Sequence, residues 1–158
     1  MEFRPVELPA PLRGSLLLAS MPGRFEPWSA FETAARASAL RLVVCLTPRE
    51  EIEELSPAYH AAVTQGALPF RWLNVPMRNF GLPEDPAAFR DSVQQIADAL
   101  RDGETVMLHC AAGLGRTGST AACVLKALGL GTEEALQRVR DAGSNPQNAK
   151  QSGLVNWF

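Results

Sequence analysis

The sequence has no run near the roughly 20 consecutive apolar residues that a membrane-spanning helix requires. It has no surplus of one charge either: 15 basic against 17 acidic side chains leave a formal net charge of −2. That balance excludes the basic surface by which proteins hold nucleic acid or anionic lipid. Cysteines number only three, Cys45, Cys110 and Cys123, an odd count without paired spacing. This excludes a disulfide framework and points to a reducing compartment. The two histidines, His60 and His109, stand at no ligand-like spacing from the cysteines, so neither a metal nor another cofactor is expected. The apolar stretch Leu16 to Ala19 is too short for a signal sequence and follows Glu2, Arg4 and Glu7. A soluble cytoplasmic protein is expected.

Hydrophobic residues make up 46% of the chain and charged ones 20%, which excludes a disordered polymer. The 158 residues suit one domain able to bury its own core. Pro5, Pro9 and Pro11 crowd the first twelve residues, so 1–12 reads as an extended arm and 13–158 as the single domain. Within that domain short apolar runs alternate with helical stretches. Strands are expected at Arg13–Ala19, Leu42–Leu46, Phe70–Val75 and Glu104–His109. Between and after them lie helices over 26–40, 49–55, 57–65, 86–101, 117–128 and 133–141, with a last helix from about Pro146. Asp85-Pro86 reads as a cap followed by a first helical residue. The fold class is therefore α/β, a mostly parallel central sheet flanked by helices. In such sheets function collects beyond the carboxyl ends of the strands.

One of those ends carries chemistry. The strand ending at His109 runs into Cys110-Ala111-Ala112-Gly113-Leu114-Gly115-Arg116-Thr117. Gly113 and Gly115 let the backbone coil so that successive N–H groups of residues 111–115 face inward as an anion nest. The following helix adds the positive end of its dipole. Arg116 offers a planar fork to two phosphoryl oxygens. Cys110 sits at the centre of this field, which favours thiolate over thiol, so its pKa is expected below the free value of ~8.5. These parts suit attack by sulfur on phosphorus through a covalent phosphocysteine, with no metal needed.

The segment HCAAGLGRTG resembles the HC-x5-R-[ST] signature loop of the protein tyrosine phosphatase superfamily. The short length resembles the dual-specificity branch, and within it the kinase-associated phosphatase (cyclin-dependent kinase inhibitor 3) type. Val44 to Glu50, Pro76 to Asp85 and Gln147 to Gln151 are similar to that family's Cys-Thr-Arg strand end, general-acid loop and glutamine-bearing loop. The resemblance implies the cysteine-dependent phosphatase fold and a phosphoprotein substrate, phosphotyrosine and also phosphoserine or phosphothreonine. It implies Cys110 as nucleophile, Arg116 as phosphate clamp and Thr117 as the hydroxyl that steadies the departing thiolate. His109 holds the loop, and Gln147 or Gln151 positions the hydrolytic water.

The chain departs from the family at one place. The acid of the family lies in a loop that reads Pro-x-x-Asp-x-Gly-x-Pro, and here that place is held by Asn79. Either Asp85 or Glu84 swings in as the acid, or the enzyme works without one on easy leaving groups. A binding module without turnover, and a small-molecule phosphatase, are the rival functions. The neutral residues between Cys110 and Arg116 argue against highly anionic substrates. Arg49 and Arg78 are candidates for substrate contacts, and Cys45 for a reversible disulfide with Cys110.

Overall fold

A computed structural model describes all 158 residues. Five strands form one sheet in the order β1-β2-β5-β3-β4. They are β1 (Arg4–Val6), β2 (Ser15–Ala19), β3 (Leu42–Cys45), β4 (Arg71–Asn74) and β5 (Thr105–His109). β2, β5, β3 and β4 run parallel, and β1 is antiparallel on β2 at the edge. Seven helices complete the chain: α1 (Trp28–Ala37), α2 (Arg49–Leu55), α3 (Pro57–Thr64), α4 (Pro86–Arg101), α5 (Gly115–Ala127), α6 (Thr132–Asp141) and α7 (Ala149–Trp157). No helix is long and apolar enough to cross a membrane.

The strands alternate in the direction of their side chains, so each face of the sheet has its own core. Leu16, Leu18, Val44, Val106 and Leu108 face α4 to α7 in a cluster of 24 buried residues. Val43 and Met107 face the other way, against Phe31 and Ala35 of α1. Beside them Cys45 meets Ile52 of α2 and Tyr59 of α3. In α4 the expected stripe Phe89, Val93, Ile96, Ala97 and Leu100 is buried throughout. α5 is buried along nearly all its length, which explains its small residues: it is enclosed by α4, α6 and α7.

Three expectations need correction. Residues 1–12 are more than an extended arm laid over the domain, because Arg4–Val6 pairs with Leu16–Leu18 as a strand of the sheet. Pro5 is tolerated there because β1 is an edge strand. α5 starts at Gly115 rather than Thr117, which puts Arg116 in its first turn. The last helix starts at Ala149, where the Asn148 side chain accepts the Gln151 N–H at 2.9 Å.

Candidate active site

β5 is the central strand, flanked by β2 and β3, so the residue that follows it lies over the middle of the sheet. That residue is Cys110, 3% exposed. Its sulfur accepts the Gly113 N–H at 3.2 Å and the Thr117 hydroxyl at 3.1 Å. Both donors stabilise negative charge on sulfur. The turn between them demands glycine: Gly113 has φ +75°, and a Cβ there would lie 2.5 Å from the Ala19 carbonyl oxygen.

A cavity of about 350 Å³ opens above the sulfur. Its wall includes Cys110, Ala111, Ala112, Leu114, Gly115 and Arg116 from the loop, with Asn79, Gln147, Glu51, Glu54 and Arg24 around it. Arg116 is 2% exposed and is held by two anchors. Glu51 of α2 takes two of its N–H groups, at 3.2 and 2.9 Å, and the Met77 carbonyl takes a third at 2.9 Å. A guanidinium has five N–H donors. The end-on pairing with Glu51 and the bond to Met77 leave the Nε–H and one Nη2–H, the side-on edge of the fork. Two parallel donors remain for two phosphoryl oxygens.

His109 lies below the loop and is fully buried. Its Nδ1 lies 3.0 Å from the Cys110 carbonyl oxygen, and its Nε2 lies 2.7 Å from the Tyr59 hydroxyl. The carbonyl can only accept, so Nδ1 carries the proton and Nε2 accepts from Tyr59. The Tyr59 oxygen in turn accepts from the Trp72 indole N–H at 2.7 Å. Burial, aided by the positive charge of Arg116, lowers the His109 pKa from 6.5 to about 4. Engaged at both nitrogens, His109 is a neutral strut below the loop and neither an acid nor a base for the cavity. Its lowered value means the unfolded chain binds a proton that the native chain refuses. Stability from this source is complete above pH 6.5 and is lost as the pH falls toward 4, by an amount on the order of 3 kcal/mol. Melting temperature followed over that window should fall more steeply in the wild type than in His109→Asn, which titrates nothing there.

Of the two glutamines, Gln147 lines the cavity. Gln151 is buried behind it, its Oε1 accepting the Gln147 N–H at 2.8 Å. A Cβ on Gly115 would approach that Oε1 to 2.6 Å, so the second glycine of the loop makes room for this support.

Asp85 does not reach the cavity. It is exposed and caps α4, its Oδ1 accepting the Ala88 N–H at 3.1 Å. Glu84 is also outside the cavity wall and lies 3.8 Å from Arg78 in an ion pair. Asn79 is the residue that the acid-loop position brings to the wall. Arg49 stands over the Trp72 ring, and Arg78 pairs with Glu50 and Glu84. Neither lines the cavity, whereas Arg24, which the sequence did not single out, does. Cys45 packs on the Tyr59 face of the sheet and Cys110 with the cluster of the opposite face. Both are free thiols, and the pairing of Cys45 with His109, the residue before Cys110, sets the two cysteines on neighbouring strand ends. Burial raises the Cys45 thiol and pushes Cys123 up to about 12.

Residues 21–153 match the model of the Swiss Army Knife protein DSP-PTPase phosphatase domain. The chain belongs to this family. The family's dual-specificity type agrees with the expectation drawn from the signature loop together with the short length. The viral protein named "Putative tyrosine phosphatase 067L", from Invertebrate iridescent virus 3, is 35% identical over 79 residues. That match takes in 48% of this chain but only 30% of the viral protein. Among solved structures, kinase associated phosphatase with serine at its catalytic cysteine superposes with a TM-score of 0.86 at 19% identity, over 100% of this chain and 93% of the other. The human tyrosine phosphatase-like serine/threonine/tyrosine-interacting protein gives 0.67 at 18% identity, over 90% of this chain and 89% of the other. At these identities the likeness is one of fold, that of the dual-specificity cysteine phosphatases.

Proposed function

We propose that the domain hydrolyses phosphomonoesters on proteins through a phosphocysteine at Cys110, and that it favours aryl esters such as phosphotyrosine. The observation that carries this reading is the pairing, across one cavity, of a sulfur that receives two hydrogen bonds with an arginine whose free edge presents two. A phosphoryl group held by Arg116 and the loop N–H groups would stand over Cys110. The sulfur attacks in line, the S–P bond forms as the ester P–O bond breaks, and the alcohol or phenol oxygen leaves. Water, steadied by Gln147, then attacks phosphorus. The S–P bond breaks, and Gly113 N–H and the Thr117 hydroxyl receive the returning thiolate. The charge is offset throughout by Arg116 and backbone donors, so the reaction as proposed uses no metal.

The preference for aryl esters follows from Asn79. An amide cannot hand a proton to the leaving oxygen, and general acid catalysis is typically worth ~10²–10⁴-fold. A phenol, with a pKa of about 10, leaves without that help far more readily than an aliphatic alkoxide. Phosphate release from phosphotyrosine peptides should therefore exceed release from matched phosphoserine peptides by about 10²-fold or more, in the presence of a chelator. Equal rates on both would overturn the preference, and release on neither would favour the binding module.

A further inference from the structure

We propose that Arg4, on the edge strand β1, is a positioning residue for the anion cradle: it pins the Gly113–Leu114 peptide so that the Leu114 N–H faces the cavity. Arg4 precedes the residues matched by the family model. Its Nη2 donates to the Gly113 carbonyl oxygen at 2.6 Å. Its Nη1 donates to the Ala142 carbonyl at 2.6 Å and to the Ser144 hydroxyl oxygen at 2.9 Å. Ser144 is buried, and its own hydroxyl donates to the same Gly113 oxygen at 2.6 Å. The slot is shaped for the guanidinium: Gly143 has φ +88°, and a Cβ on it would lie 2.9 Å from Arg4 Nη1.

The consequence follows from peptide geometry. The Gly113–Leu114 bond is trans, since the one cis bond is Ala10–Pro11, so its C=O and N–H point in opposite directions. Arg4 and Ser144 draw the carbonyl to the back of the loop. The Leu114 N–H must then point forward, and Leu114 is part of the cavity wall. Without the two donors, that peptide can turn and present its carbonyl, a negative dipole end, to the phosphate. The guanidinium is also near enough to Cys110 for a thiolate there to attract it. An edge strand far from the loop in sequence thus sets the sign of the field above the nucleophile.

The inference bears on the phosphatase reading, but oxyanion affinity tests it without turnover. Tungstate binding to the full chain, measured by calorimetry, should weaken about tenfold in Arg4→Ala, the scale of one lost hydrogen bond to a charged group. Arg4→Lys keeps a cation that reaches one acceptor but not all three, so it should recover the melting temperature and only part of the affinity. Ser144→Ala, which leaves Arg4 in place, should lose about threefold. Wild-type affinity in a folded Arg4→Ala overturns the proposal. If Arg4→Ala does not fold, wild-type affinity in both Arg4→Lys and Ser144→Ala does so. Absence of tungstate binding by the wild type overturns it too, because no cradle is then formed. A wild type that binds tungstate yet releases no phosphate from p-nitrophenyl phosphate sinks the phosphatase reading and leaves Arg4 open to the same comparison.

Discussion

Cys110→Ser should lower phosphate release from p-nitrophenyl phosphate by at least about 10⁴-fold, as loss of a nucleophile does elsewhere, and should leave the fold intact. The substitution changes one buried atom, and the Gly113 N–H and Thr117 hydroxyl can still donate to an oxygen in its place. What the variant lacks is a nucleophile, because a serine hydroxyl needs a base to become one. None is near. His109 is the one histidine of the site, and both its nitrogens are engaged below the loop by the Cys110 carbonyl and Tyr59. The Glu51 carboxylate is committed to Arg116. Binding should survive, since Arg116 and the cradle are untouched, so the variant should hold phosphotyrosine peptides at close to wild-type affinity. Acid-quenched wild type should carry one added phosphoryl group during turnover, and the variant none. Residual turnover above about one per cent of wild type would identify a different nucleophile and end the phosphocysteine reading.

Legibility in the sequence followed the range of the interaction. The loop from Cys110 to Arg116 is local: strand, two glycines, arginine and helix follow one another, and the structure assembles them as the order implies. α2 begins and ends where Pro48 and Ser56-Pro57 bracket it, and Asp85 caps α4 because a carboxylate before a proline can do little else so well. The parts that escaped are long-range. Glu51 lies 65 residues from the arginine it orients, and Tyr59 lies 50 from His109. α2 is acidic throughout, so nothing local separates Glu51 from Glu50 or Glu53 until the α2 face toward Arg116 is known. The prolines of the first twelve residues disguised β1, because an edge strand needs only alternate N–H groups. Cys45 is another long-range neighbour: its partner across the β3–β5 pairing is His109, the residue before Cys110.

Asn79→Asp should speed release from alkyl phosphomonoesters by about 10–100-fold, and change p-nitrophenyl phosphate turnover by no more than about threefold. The argument is one of leaving groups. Asn79 is on the cavity wall with Cys110, and the substitution swaps an amide for a carboxyl of the same length. A nitrophenolate departs without a proton, so an acid has little to add, whereas an alkoxide gains the whole benefit. The gain should vanish as the pH rises and the new carboxyl ionises, giving a descending limb that the wild type lacks. Asp85→Ala is the matching control. Loss of the cap should cost about 1 kcal/mol, a melting-temperature drop of about 2–4 °C for a chain this long, with turnover unchanged on either class of ester. Slower alkyl hydrolysis in Asp85→Ala would mean that the α4 cap leaves its helix during catalysis. Glu54, an exposed carboxylate on the same wall, is the other place a proton could come from. If Glu54→Gln slowed the wild type on alkyl esters and Asn79→Asp added nothing, the domain would have kept general acid catalysis by moving it from the loop after β4 to α2. If Asn79→Asp alone restores alkyl hydrolysis, the amide is what would confine the proposed activity to phenolic leaving groups.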